Sequence, residues 1–206
     1  MMYREYIGLL PGQAVIKRSF DLFFAILGLL LLWWVILLAA FISRLDTGLN
    51  GFFIQQRVGR LGILFNVIKI RTMKSVDNFQ TTVTTDNDVR ITAVGRFFRK
   101  TKVDELPQLI NVLLGDMSFV GPRPDVPGFA DQLVGDERNV LSLRPGITGP
   151  ATLQYRNEEK LLASVDNPEQ YNRDVIFPDK VKINLEYIKN YSLSNDIKYI
   201  SLTIFG

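Results

Sequence analysis

Asp104 and Glu105 are adjacent carboxylates in the stretch Gly95-Arg96-Phe97-Phe98-Arg99-Lys100-Thr101-Lys102-Val103-Asp104-Glu105-Leu106-Pro107, directly ahead of the helix-like run Leu106–Leu114. At a helix start, unpaired backbone N–H groups and the macrodipole favour negative charge. Arg96, Arg99, Lys100 and Lys102 crowd in just upstream. That setting keeps a carboxylate ionised and can hold a phosphate beside it. Taken alone, the pair would do no more than complement a helix N-terminus. A carboxylate can also attack phosphorus to form an acyl phosphate, and a neighbouring one can hold Mg²⁺ against a diphosphate.

Further cations recur in short loops: Gln56-Arg57-Val58-Gly59-Arg60, Lys69-Ile70-Arg71-Thr72-Met73, and Arg123 between Pro122 and Pro124. Any one alone reads as a solvated surface charge. Arg123 is the most telling, because flanking prolines fix the backbone and aim the guanidinium fork at an anion. The chain has no Gly-Lys-Ser/Thr phosphate loop and no Gly-x-Gly-x-x-Gly, which disfavours the familiar NTPase and dinucleotide folds. It contains 0 His and 0 Cys among 206 residues, excluding imidazole shuttles, thiol chemistry and most zinc sites. Carboxylates, amines, hydroxyls or a hard metal ion must carry any reaction. A formal charge of +3 and a pI near 9.1 fit an anionic partner without choosing among phosphate, nucleotide and lipid surface.

Leu22 to Ile42 contains no charged or polar side chain. As a helix this run would extend roughly 30 Å, close to the hydrocarbon thickness of a bilayer. It is too long for a signal peptide and no small-residue cleavage site follows, so it reads as membrane-embedded. Lys17 and Arg18 precede it and Arg44 follows, so basic residues flank both ends. Trp33 and Trp34 fall at its middle, and Asp21 gains nothing at the start of a lone spanning helix. These features favour a helix that returns to its own side over one that spans. The expected organisation is an N-terminal arm over 1–16, a membrane-embedded helix over 17–44, and a catalytic domain over 45–206 with membrane-contacting helices.

Within that domain, Phe52–Gln56 and Leu64–Ile70 read as strands of a hairpin around a Gly59-Arg60-Leu61-Gly62 turn. Ser75–Asp88 is polar and Thr-rich and reads as a loop. Val94–Arg99, Leu106–Leu114, Asp131–Val140 and Val181–Tyr191 are helix candidates. Gly121-Pro122-Arg123-Pro124 and Arg144-Pro145-Gly146-Ile147-Thr148-Gly149-Pro150 are rigid passages. Ile197–Phe205 is strongly apolar, another candidate for membrane contact. The fold class expected is α+β: a mainly helical domain with a small β-hairpin behind the membrane helix.

These motifs, in this order, resemble the monotopic phosphoglycosyl transferases of the bacterial sugar transferase family. The matching stretches are Lys17–Leu22, Gln56–Arg60, Lys69–Met73, Arg90–Arg96, Asp104–Asn111, Met117–Pro124 and Arg144–Gly149, which together cover most of the chain. The resemblance implies transfer of a sugar-1-phosphate from a UDP-sugar to a polyprenol phosphate, undecaprenyl phosphate by analogy, with release of UMP. It implies that Asp104 is the nucleophile of a covalent phospho-sugar intermediate and that Glu105, with Asp104, holds Mg²⁺. It places Lys69, Arg99 and Arg123 near the diphosphate and nucleotide, and gives Arg144 a lesser role in binding substrate phosphate or uridine. It also implies a re-entrant helix at the cytoplasmic face of a bacterial inner membrane, and the minimal catalytic form of the family. The implied partners are donor, acceptor and membrane lipid, with no nucleic acid, and a homodimer is left open.

The chain departs from the family pattern twice. Trp33-Trp34 stands where a proline usually breaks the re-entrant helix, which removes the simplest cause of a bend. Pro150 follows Thr148-Gly149 where an aromatic residue is frequent. Two other classes compete with the transferase: a catalytically inactive nucleotide-sugar-binding scaffold, and a phosphatase working through an aspartyl phosphate. Dependence on a lipid phosphate separates the phosphatase from the transferase. The residues do not name the sugar, although Ser75–Asp88 and Asn157–Pro178 are the variable stretches available to select it.

Overall fold

A computed structural model describes residues 8–75 and 88–206. The interior of the Ser75–Asp88 loop expectation and the arm before Gly8 lie outside the described residues. The first element, α1, runs unbroken from Pro11 to Thr47, longer at both ends than the expected 17–44. Pro11 sits at its first position, where a missing N–H costs nothing, and Gly48 closes it in the left-handed conformation with φ 72°.

Lys17, Asp21, Ala25, Ile36, Ala39, Ala40 and Ser43 are buried on one side of α1, while Phe23, Leu30, Leu31, Trp33, Trp34 and Phe41 are exposed. Steps of three and four residues make this one stripe along the helix. The stripe packs against the rest of the chain over its whole length. Ile36, Ala39 and Ala40 cluster with Ile70 and Phe98, and Ala25 clusters with Val67, Val112 and Met117.

The expected hairpin forms: β1 (Phe52–Val58) pairs antiparallel with β2 (Leu64–Ile70), Phe52 opposite Ile70 and Val58 opposite Leu64. Next comes α2 (Ala93–Thr101), capped by Thr92, whose hydroxyl accepts from the Gly95 N–H at 2.8 Å. The expected Leu106–Leu114 helix divides into a 3₁₀ turn, Val103–Glu105, and α3, Gln108–Leu114. Pro107 explains the late α-helical start, since it lacks an N–H and fits only a first turn. Asn111, 1 % exposed, pins α3 to β2: its Oδ1 accepts from the Ile68 N–H and its Nδ2 donates to the Asn66 carbonyl.

A second sheet was not expected from the sequence. The strands β3 (Ser118–Val120) and β4 (Gly146–Thr148) pair in parallel, Ser118 opposite Gly146 and Val120 opposite Thr148. Three-residue strands leave too little alternation to be read as strands. Glycine is needed here, because a Cβ on Gly146 would lie 2.2 Å from the Gly121 nitrogen. The Asp131–Val140 expectation resolves into 3₁₀ segments, Ala130–Gln132 and Gly135–Ser142. Short helices α4 (Pro150–Gln154), α5 (Glu158–Ala163) and α6 (Pro168–Tyr171) lead through a π-helical segment, Asn172–Ile176, into α7 (Phe177–Lys189) and α8 (Leu193–Phe205).

A buried polar knot joins the two ends of the chain. Lys17 Nζ lies 2.5 Å from Asp196 Oδ2, and Asp196 Oδ1 accepts from the Tyr187 hydroxyl at 2.6 Å. Asp21 accepts from the Ser118 hydroxyl and the Phe119 N–H, each at 3.1 Å. The carboxylate with no evident use in a lone membrane helix is therefore a clamp between α1 and β3. Removing one member of a buried pair strands the other. Lys17→Met is expected to cost about 3–5 kcal/mol in unfolding of the detergent-solubilised protein, and Lys17→Met with Asp196→Asn to recover most of it.

Candidate active site

Lys102 is a non-glycine residue in the left-handed region, φ 59°, where an L side chain is disfavoured. It closes α2 by donating its N–H to the Phe98 and Arg99 carbonyls, then turns the chain into Val103–Glu105. That turn is held from below by apolar packing: Val103 and Leu106 lie against Ile36, Ala39, Ile70 and Phe98. Asp104 and Glu105 are consequently buried, 8 % and 9 % exposed.

Glu105 is the centre of the electrostatics. Its Oε1 accepts from Lys69 Nζ at 3.0 Å and from Arg123 Nη2 at 2.9 Å. Burial alone would push this carboxyl up, but Lys69 and Arg123 outweigh it and hold Glu105 well below the usual carboxylate range. Asp104 stands in the opposite condition. Burial, reinforced by the anionic Glu105, pushes it up to about 6 against the pull of Lys69, Lys102 and Arg99. Its Oδ1 is buried and has no hydrogen-bond partner among the described residues. Two adjacent carboxylates thus differ in role: one is clamped by cations, the other is left open.

Lys69, Arg99, Asp104, Glu105 and Arg123 all line one cavity of ≈ 1010 Å³. Arg99 donates through Nη2 to Glu159 Oε1 at 2.6 Å, and its buried Nη1 has no partner among the described residues. Arg123 is aimed by its surroundings, because the passage after β3 is tied to the hairpin. Val58 N–H donates to the Asp125 carbonyl at 2.9 Å, and Arg57 Nη1 to the Pro124 carbonyl at 3.3 Å.

Arg144 does not line this cavity. Its Nε donates to the Gly115 carbonyl at 2.7 Å, just past the C-terminal end of α3, the end away from Asp104. Arg18 binds the same helix end through the Val112 and Leu113 carbonyls. Both arginines complement the negative pole of α3. Conversely, the cavity wall includes Asp125, Thr152, Tyr155, Lys180 and Asn184, none of which the sequence singled out. One signal was present: Lys180 and Asn184 are four apart on α7, next to the apolar face of Val181, Leu185 and Ile188.

Among the described residues no group of three or more His, Cys, Asp or Glu side chains converges as a metal cage. The donors present do fit Mg²⁺, which takes one or two carboxylates and completes its shell with substrate phosphates and water. Asp104 offers an unpartnered Oδ1, and Glu105 binds its cations through Oε1.

Comparison with known proteins converges on one family. Residues 12–206 match the family described as bacterial sugar transferase. The chain is 37% identical over 196 residues to the UDP-glucose:undecaprenyl-phosphate glucose-1-phosphate transferase of Escherichia coli K12, covering 93% of this chain and 40% of that protein. It is 35% identical over 204 residues to the undecaprenyl-phosphate galactose phosphotransferase of Salmonella typhimurium LT2, covering 91% of this chain and 39% of that protein. With the exopolysaccharide production protein PSS of Rhizobium leguminosarum bv. phaseoli it shares 34% identity over 198 residues, 92% of this chain and 94% of that protein. The chain thus spans about two fifths of the length of the first two of these relatives and nearly all of the third. A match over residues 12–206 is enough to place it: the chain belongs to the bacterial sugar transferase family.

Proposed function

We propose that this protein transfers a sugar-1-phosphate from a UDP-sugar to a polyprenol phosphate, releasing UMP, with Asp104 as nucleophile. The observation that carries the reading is Asp104, which lines a cavity with Lys69, Arg99 and Arg123 and whose buried Oδ1 has no partner among the described residues. The Escherichia coli and Salmonella relatives, named as transferases acting on undecaprenyl phosphate, suggest the substrate classes.

In the first step an Asp104 oxygen attacks the phosphorus that bears the sugar. The bond from that phosphorus to the bridging oxygen breaks, UMP leaves with the electron pair, and an aspartyl phospho-sugar remains. A phosphate oxygen of the polyprenol phosphate then attacks the same phosphorus, forming a polyprenyl diphosphate sugar and returning Asp104 as a carboxylate. The acceptor is already anionic, so no strong base is needed, which suits a chain with 0 His. Arg99 and Arg123 orient the diphosphate and stabilise charge on its oxygens. Lys69 and Arg123 keep Glu105 ionised, and that charge raises Asp104, sharpening its nucleophilicity once it is ionised. Asp104 and Glu105 would hold Mg²⁺, which when bound neutralises diphosphate charge.

We further propose that α1 is seated in the membrane from one side. It is long and apolar enough to cross a bilayer, and its outer face is exposed and apolar. Yet its inner stripe binds the same domain at both ends, through Lys17 to Asp196 and through Ser43 to the Arg71 carbonyl. A helix spanning the bilayer would carry one of those contacts to the far side, roughly 39 Å along the axis at 1.5 Å per residue.

Three measurements test these proposals. Multiple-turnover release of UMP from UDP-sugars is expected to require undecaprenyl phosphate, to fall at least about 10³-fold in Asp104→Asn, and to fall with chelation of divalent metal. Repeated turnover without lipid, beyond one UMP per enzyme, would instead indicate a phosphatase, and wild-type turnover in Asp104→Asn would overturn the covalent mechanism. In the metal-free protein, the Asp104 carboxyl, followed by carbon NMR, is expected to titrate at about 6 and to move lower in Glu105→Gln. The sign follows from removing a neighbouring negative charge that disfavours ionisation. Finally, cysteines introduced as Ala14→Cys and Asp46→Cys into this chain of 0 Cys are expected to react with an impermeant maleimide from the same face of sealed vesicles. Labelling from opposite faces would make α1 a spanning helix.

A further inference from the structure

The cavity has a second region that the phosphoryl steps leave unused. Past Arg123 the chain passes Pro124 to Asp125, and α4 and α7 supply the facing wall, including Thr152 and Asn184. Asn184 is 6 % exposed, and its side-chain amide makes no hydrogen bond among the described residues; Oδ1 is fully buried. The buried Thr152 hydroxyl is likewise unpartnered. The half-buried Asp125 carboxylate lines the same cavity, with Lys180 and Arg57 within electrostatic reach. Buried polar groups are nearly always satisfied, so an unpartnered amide and hydroxyl beside a carboxylate on one cavity call for a ligand that bears matching donors and acceptors.

The chemistry of this region rejects a phosphate. Lys180 is occupied by Glu158 at 2.6 Å, Arg57 donates to the Pro124 carbonyl and to Gln55 Oε1, and Asp125 would repel another anion. Nor does it offer a free stacking platform for a flat base. The Lys180 ammonium lies 5.5 Å over the Tyr155 ring, whose hydroxyl donates to Asp179 at 2.6 Å, and Arg173 lies 5.0 Å over Phe129. What remains is a neutral amide, a hydroxyl and a carboxylate, the set that pairs with vicinal hydroxyls. Lys180 and Asn184 share one face of α7, which places the amide one turn beyond the ion pair.

We propose that Asp125, Thr152 and Asn184 form the subsite that grips the hydroxyls of the donor's sugar ring and so selects the sugar. This rests on the transferase reading above. Asp125 accepts from hydroxyls, Thr152 donates or accepts, and Asn184 does both, so an epimer that turns one hydroxyl away leaves a buried group unmatched. A site built to hydrogen-bond a hydroxyl discriminates strongly for that reason.

The test compares wild type with Asn184→Leu and Thr152→Val, following UMP release from UDP-glucose, UDP-galactose, UDP-N-acetylglucosamine and UDP-N-acetylgalactosamine, alongside inhibition by UMP. Thermal unfolding of each variant reports folding. The expected result is a fall in kcat/KM for the preferred donor of about tenfold or more, carried mostly by KM, with narrowed discrimination between epimers. UMP, which lacks the sugar, is expected to inhibit as before. Equal loss of donor and UMP affinity would place these residues at the nucleoside and overturn the proposal. So would unchanged kinetics, which would make them wall residues satisfied by water. If wild-type protein turns over no donor, the transferase reading fails on its own account. Calorimetric binding of the UDP-sugars and UMP to Asp104→Asn protein, with and without Asn184→Leu, then decides the subsite by the same comparison.

Discussion

One carboxylate oxygen organises the candidate active site. Glu105 Oε1 receives Lys69 from β2 and Arg123 from the passage after β3, so a single acceptor joins three separately built parts of the chain. Burying a carboxylate with no partner would be prohibitive; with two cations it is tolerated and the geometry is over-determined. The neighbouring Asp104 inherits the consequences. It is buried beside a permanent anion, its Oδ1 is left unmatched, and the cations that would quench it are shared with Glu105. In the mechanism we propose, holding one carboxylate ionised while its neighbour stays unpartnered separates a structural role from a chemical one.

The supports of that arrangement were unevenly legible in the sequence. Alternating apolar residues around the Gly59–Gly62 turn announced the hairpin, and β2 carries Lys69 as expected. The Pro-Arg-Pro passage announced a rigid arginine, and Arg123 reaches Glu105. The sequence ranked Arg144 below Arg123 but did not show that it points away from the cavity to bind the Gly115 carbonyl. The distinction is made by the β3–β4 pair, whose three-residue strands carry no period to read. Asp125, Thr152 and Asn184 were missed for a related reason: each is an ordinary polar residue until α4 and α7 bring it to the same cavity.

The first helix shows how long-range contacts add to a composition argument. By length and composition Leu22–Ile42 reads as membrane-embedded, its flanks favour a return to one side, and Trp33-Trp34 offers no break. The helix is unbroken, and its inner stripe is packed against the rest of the chain. Ile36, Ala39 and Ala40 support the turn that carries Asp104, and Lys17 reaches an aspartate 179 residues away. The same helix therefore keeps one apolar face exposed while the opposite face supports the turn that carries Asp104 and Glu105.

The covalent role of Asp104 is the central claim, and isotope exchange tests it most directly. Radiolabelled UMP is incubated with unlabelled UDP-sugar and enzyme in the absence of any lipid phosphate. Reversible formation of the aspartyl phospho-sugar predicts that label enters the UDP-sugar pool, and that Asp104→Asn abolishes the exchange. An enzyme that turns over with lipid but shows no exchange without it would transfer the phospho-sugar directly, contradicting the account.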